Sequence, residues 1–274
     1  MHKAGNPIRP VINNRNDPSY KATKKLNKIL QQHLNLDNHH TIINSTTLAQ
    51  DLTKLNINTK HRLITMDIKD LYVNIPITET TDITKTPMLK HNEPEIATQI
   101  CKLLETILHK NYFIFQEQIY QPNKGIAMGS PISGTIAEIF LQHLEHIHIR
   151  PLLKSKQIWF YTRYIDDILI IYDTESTDQD YLIQHANSMH TNLQFNPTQD
   201  ENGCIDFLNL TIIRETSHLQ IDIYHKPTTI DPTIHSTTIH PNEHKLAAYR
   251  YYRERSTILH IAQQNGFHLQ QCKN

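Results

Sequence analysis

The stretch WFYTRYIDDILIIY, Trp159 to Tyr172, constrains this chain more than any other. An aromatic and β-branched run meets two adjacent aspartates, Asp166 and Asp167, and resumes as Ile168, Leu169, Ile170 and Ile171. Strand formers on both sides of a short acidic tip spell a β-hairpin with two carboxylates at its turn. Neighbouring carboxylates repel one another unless a cation lies beside them, and a divalent metal is the usual answer. Taken alone, the pair is more simply explained as a solvated acidic turn, because turns favour Asp. The rest of the chain decides between the two.

At 274 residues the chain has room for one large domain or two small ones, and a 38% hydrophobic content allows a core. Lys+Arg and Asp+Glu are balanced at 27 each. Nucleic-acid binders usually carry a basic excess, so here such binding requires a local basic channel. Cys101, Cys204 and Cys272 lie far apart without a CxxC pair, which argues against a zinc ribbon or disulfide framework and fits a reducing compartment. MHKAGNPIRP lacks the apolar stretch of a signal peptide, and no run approaches the roughly 18 apolar residues of a membrane span. The expectation is a soluble intracellular protein, nuclear or cytoplasmic, neither secreted nor in a membrane. His39-His40, His143/His146/His148 and His235/His240/His244 imitate metal ligands, but among 19 histidines such groupings arise by chance. No cysteine partner or HExxH helix accompanies them.

Periodicity predicts helices over Tyr20–Leu34, over Thr46–Leu55 with Ser45 as cap, over Glu93–Lys110 and over Ile132–Ile149. Arg62–Met66 reads as a strand running straight into Asp67. Residues 77–92 read as weakly helical or irregular, and Tyr112–Phe115 with Gln118–Gln121 as a small hairpin. Beyond the aspartate hairpin come a helix near Gln179–Asn192, a strand at Leu193–Asn196, a second hairpin of Phe207–Arg214 with Leu219–His225, and a helix over Glu243–Gln264. That last helix carries Lys245, Arg250, Arg253 and Arg255, either a surface for a nucleic-acid backbone or an ordinary solvated face.

Asp67 ends a predicted strand, as Asp166 and Asp167 do, and carboxylates delivered by strand ends can converge at one sheet edge. Such a set suits two Mg²⁺ ions in phosphoryl transfer. Between them lies KGIAMGSP, Lys124 to Pro131, opening a long helix. Glycine lets a backbone approach a ligand closely, although Pro131 at a first helical turn and a Ser cap make an ordinary loop too.

The segments ITMDIKDLYVNIPI, GIAMGSPISGTIAEIFLQHLE and YTRYIDDILIIY resemble, in order, the three central palm motifs of reverse transcriptases. IRPVINNRNDPSYKATKKL, FLNLTI and IYHKPTTIDPTIHSTTIHPNEHK are similar to the Penelope-like retroelement branch. The resemblance covers nearly the whole chain and implies an α+β polymerase palm, an antiparallel sheet backed by helices. It implies partial fingers over 1–60, a palm over 61–230 with a fingers insertion at about 77–120, and a short thumb-like helical segment over 231–274. It further implies RNA-directed DNA polymerase activity on an RNA template, a DNA primer and dNTPs, with two Mg²⁺ ions or Mn²⁺.

By position, Asp67, Asp166 and Asp167 match the metal-binding carboxylates. Tyr72, five residues after Asp67, matches the aromatic that excludes a 2′-hydroxyl, the competing reading being a buried strand tyrosine. Gly125 and the loop to Ser130 match the element against template and incoming nucleotide. Arg9 matches the fingers arginine that grips the triphosphate, a task suited to a guanidinium fork. Lys226 matches a lysine near pyrophosphate or primer, or is a surface lysine. A chain beginning so close to Arg9 and lacking a GIY-YIG endonuclease region after Asn274 reads as a truncated copy. Two rivals stand beside polymerase activity: a catalytically inactive nucleic-acid-binding remnant and an RNA-templated RNA polymerase.

Overall fold

The computed structural model describes residues 14–34, 36, 40–224 and 238–264. These form two compact units, one drawn from the described residues of 1–38 with 68–151 and 185–195, the other from 40–67, 152–184 and the described residues beyond 196.

The second unit holds the sheet. Strands β1 (His61–Ile68), β4 (Ile158–Tyr164), β5 (Asp167–Asp173) and β6 (Phe195–Gln199) form a four-stranded sheet ordered β4-β5-β1-β6. β5 is antiparallel to both β1 and β4. Leu63 faces Ile171 and Thr65 faces Leu169 across β1 and β5, which puts these side chains on one face of the sheet. Leu63, Leu169 and Ile171 enter a core with Leu48, Ala49 and Leu52 of helix α2 (Ser45–Leu52).

A three-stranded antiparallel meander completes that core: β7 (Cys204–Phe207), β8 (Leu210–Arg214) and β9 (Leu219–Ile223). It contributes Ile205, Phe207, Leu210, Ile212, Leu219 and Ile221, while helix α9 (Asn242–Gln264) adds Ile258 and Ile261. The expected second hairpin is thus a meander. Leu208, at φ 56°, turns the chain where one continuous strand was expected from Phe207. The α9 side chains also divide. Arg255 is buried and lies over the Tyr251 ring at 5.0 Å, and Arg250 pairs with Glu243 at 2.7 Å. No uniform basic face results.

The first unit is mainly helical: α1 (Tyr20–His33), α3 (Leu71–Asn74), α4 (Ile77–His91), α5 (Pro94–His109) and α6 (Ser133–Leu144), with a small hairpin of β2 (Phe113–Phe115) and β3 (Gln118–Tyr120). Gln116 and Glu117 both have positive φ, the two-residue turn whose twist suits a hairpin. Residues 77–91 form a full helix, not an irregular segment. Its buried face is Thr80, Thr81, Thr84 and Met88, and the three threonine hydroxyls donate to carbonyls four residues earlier at 2.7, 2.9 and 2.7 Å. The long helix expected over 132–149 ends at Leu144 and passes through a π turn, Glu145–Ile149, into α7 (Arg150–Lys154). Helix α8 spans Gln179–Ser188.

Candidate functional site

Strand pairing builds the site. β4 and β5 are joined by Ile165 and Asp166, with Tyr164 opposite Asp167. β1 lies on the other side of β5, and its register places Asp67 directly opposite Asp167. Residues opposed across an antiparallel pair project to the same face with Cβ atoms about 5 Å apart. Two of the expected carboxylates are therefore brought face to face, and Asp166 adjoins them at the turn. All three are half-buried. Among the described residues no group of three or more His, Cys, Asp or Glu side chains is drawn close enough to hold a metal ion. The structure provides a facing aspartate pair with a third aspartate next in the chain.

The turn is held from below by Arg163, a residue to which the motifs assign no role. Arg163 is 1% exposed, and its Nη1 donates to the Ile165 carbonyl at 3.1 Å while Nη2 donates to Thr41 Oγ1 at 3.3 Å. Its backbone amide donates to the His40 carbonyl at 2.8 Å, and its carbonyl accepts from Ile42 at 3.0 Å. A guanidinium inside an apolar strand is tolerated only when its donors are met. That mismatch of residue type and strand is the signal the sequence carries. Ile165 itself has φ 55°, a left-handed conformation that β-branched residues seldom adopt.

In the first unit, Tyr72 lies half-buried on the short helix α3, which removes the reading of a buried strand tyrosine. Its carbonyl accepts the Ile126 amide at 2.8 Å. Gly125 has φ 75° and is so close to α3 that a Cβ would lie 2.5 Å from the Tyr72 carbonyl oxygen and 2.4 Å from that of Val73. Lys124 Nζ donates to Asn74 Oδ1 at 3.0 Å, and Asn111 Nδ2 donates to the Gly125 carbonyl at 3.3 Å. The Tyr72 turn and the Gly125 loop thus form one interlocked element. A polar cavity of about 460 Å³ opens beside it, lined by Asn74, Asn111, Gln121, Lys124 and Gly125 among others. Ser133 Oγ donates to the Ala127 carbonyl at 2.7 Å, and α6 begins at Ser133, so Pro131 precedes the helix instead of opening it. Arg9 and Lys226 lie outside the described residues.

A family model described as "Reverse transcriptase (RNA-dependent DNA polymerase)" matches residues 1–197. No curated protein matches. Among solved structures, a telomerase from Candida tropicalis bound to a TWJ fragment of telomeric RNA superposes with TM-score 0.57 at 12% identity, over 92% of this chain and 45% of that one. A Candida albicans telomerase in the same kind of complex gives TM-score 0.57 at 14% identity, over 75% of this chain and 39% of its own. A structure described as an RdRp complex gives 0.51 at 16% identity, over 72% of this chain and 20% of that one. At these identities the likeness is one of fold: a polymerase palm of mixed helix and antiparallel sheet. The chain spans less than half of either telomerase. Among the described residues no helix is long and apolar enough to cross a membrane.

Proposed function

This chain belongs to the reverse transcriptase family, and on that premise we propose that it is the RNA-directed DNA polymerase domain of a Penelope-like retroelement, transferring nucleotides from dNTPs to a primer 3′-hydroxyl. The observation that supports this most is the register of Asp67 against Asp167, with Asp166 at the adjoining turn. Opposed like charges are unfavourable unless a cation lies between them, and an all-carboxylate set of hard oxygen donors fits Mg²⁺, with Mn²⁺ as a substitute. Asp67, Asp166 and Asp167 would have to draw their side chains together to hold two such ions, which when bound make the 3′-hydroxyl more acidic and offset charge on the leaving phosphates.

The remaining work is positioning and charge stabilisation, as phosphoryl transfer requires. Tyr72, locked to the Gly125 loop, would present its ring to the sugar and exclude a 2′-hydroxyl. The Gly125–Ser130 loop would lie against template and nucleotide, its backbone uncovered by any side chain at Gly125. Arg9 would grip the triphosphate and Lys226 the pyrophosphate or primer. The RNA in the Candida telomerase complexes supports an RNA template here. The Penelope-like character rests on IRPVINNRNDPSYKATKKL, FLNLTI and IYHKPTTIDPTIHSTTIHPNEHK.

Primer extension on poly-rA with oligo-dT and Mg²⁺, comparing wild type with Asp166→Ala, tests the proposal. The wild type should incorporate dTTP, and the variant should lose at least 100-fold, the scale expected when a metal-binding carboxylate is removed. Equal background from both would sink the catalytic claim and leave a nucleic-acid-binding remnant. Tyr72→Ala should raise ribonucleotide incorporation relative to deoxynucleotide. If the wild type already used rNTPs as readily and Tyr72→Ala changed nothing, an RNA-templated RNA polymerase would be the better description.

A further inference from the structure

Helix α1 concentrates positive charge in a way the neutral total conceals. Lys21, Lys24, Lys25 and Lys28 recur at steps of three and four, so they form one stripe. All four are exposed, whereas Thr23, Leu26 and Leu30 on the opposite side are buried. The helix contains no Asp or Glu. Asp17, just before it, accepts the Ser19 amide at 2.6 Å. No ion pair joins the four lysines to another described residue.

The arrangement is electrostatically adverse for the isolated protein. Like charges three and four apart on a helix repel, and cations in the opening turns face the positive end of the helix dipole. A polyanion reverses both effects. Arg15 and Tyr20 join the four lysines in lining one open stretch of surface. Lys21 to Lys28 spans about 10.5 Å at 1.5 Å per residue, about three steps of a 3.4 Å rise and so about four successive phosphates. A cationic track beside an aromatic ring suits a single strand, because every unpaired base has a face to stack. On α9, by contrast, Arg250 is paired and Arg255 is buried.

We infer that the Lys21–Lys28 stripe of α1 is a docking surface for the phosphate backbone of single-stranded RNA. The inference takes the choice of RNA from the polymerase reading, but its readout is binding, which does not require catalysis.

The test uses the full chain and a fluorescent single-stranded rA oligonucleotide of about 16 nucleotides, with anisotropy titrations from about 50 to 200 mM KCl. Replacing all four lysines by Gln should flatten the slope of log K against log salt by about 2.8, at roughly 0.7 per phosphate contact, and weaken binding at least tenfold. Replacing them by Arg should keep the slope. Gln at four exposed lysines elsewhere, Lys90, Lys102, Lys154 and Lys156, matches the charge change and should leave the slope near wild type. A thermal melt of the stripe variant no lower than wild type would exclude misfolding as the cause, since the substitutions relieve repulsion. An unchanged slope in the stripe variant, or an equal loss in the charge-matched control, would overturn the inference. So would lysine-dependent binding confined to an RNA–DNA hybrid of the same length, or to vesicles containing phosphatidylserine. A wild type that extends no primer yet binds RNA through the stripe would defeat the polymerase proposal alone.

Discussion

At Gly125 the backbone is left-handed and an added Cβ would meet the Val73 carbonyl oxygen at 2.4 Å. A main-chain oxygen cannot swing aside as a side chain can, so Gly125→Ala must displace the loop from the Tyr72 turn. We expect a loss of about 2 kcal/mol or more in urea unfolding, from φ strain and overlap together. Gly134 is the internal control, because a Cβ there meets nothing within 4 Å and the residue lies in α6. Gly134→Ala should stabilise by up to about 1 kcal/mol through helix propensity. A fall in stability for Gly134→Ala as large as for Gly125→Ala would contradict this account. His61 is a second sensitive residue. It is 3% exposed, tilts against Trp159 at 5.0 Å, and accepts the Asn58 amide on Nδ1 at 3.0 Å. Burial lowers its pKa from the ordinary 6.5, and Asp173 only partly opposes the shift. The folded state therefore binds this proton less readily than the unfolded state. The His61 contribution is complete above about pH 6.5 and declines as pH falls below it. Melting temperatures of His61→Gln should drop less than those of wild type between pH 7.5 and 5.5; parallel drops would show that other groups carry the acid sensitivity.

Elements with one apolar stripe or one strong motif are legible in the amino-acid sequence. The WFYTRYIDDILIIY hairpin falls in this class, whereas α5 announces its helix but not its buried side: Ala97, Cys101, Leu104 and Leu108 are buried while Ile96 and Leu103 are exposed. α4 does not announce itself, since three of its four buried positions are threonines that satisfy their own hydroxyls within the helix, Met88 being the fourth. At α2 two adjacent residues could cap. Asn44 does so, accepting the Thr47 amide at 2.8 Å, which leaves Ser45 inside the helix to donate to Glu254 at 2.8 Å. A partner so distant along the chain has no local signal. The same holds for α9, whose basic composition suggests an exposed face while Ile258, 0% exposed, enters the sheet core. Ile258→Ala should cost about 2–5 kcal/mol by removing buried carbons and leaving a cavity. Chemical denaturation followed by fluorescence of Trp159, which lies in the same unit, reports that loss. A change under about 0.5 kcal/mol would show α9 to be a loosely attached appendage.

At the scale of the whole chain, the facing aspartates need elements that sequence order keeps far apart. β1 and β5 carry Asp67 and Asp167, yet the core under them also draws on Leu48, Leu52 and Ile57 before residue 61 and on Ile258 and Ile261 after residue 230. No linker marks the division into two units, because each is assembled from several separate stretches. A fragment of residues 61–230 would retain every palm motif while losing those five large apolar side chains from one core. At roughly 1.5–3 kcal/mol for each buried Leu or Ile, the missing burial is on the order of 10 kcal/mol, comparable to the whole stability of an ordinary domain at about 5–15 kcal/mol. The fragment should therefore bind ANS, show poor amide dispersion and melt without a cooperative transition, whereas the full chain should melt cooperatively. If 61–230 instead gave dispersed spectra and a sharp melt, the motif-bearing stretch would be self-sufficient, and the flanking helices would serve the nucleic acid instead of the fold. The Asp67–Asp167 register would then have to be held by β-sheet pairing alone, which is the arrangement the shared core argues against.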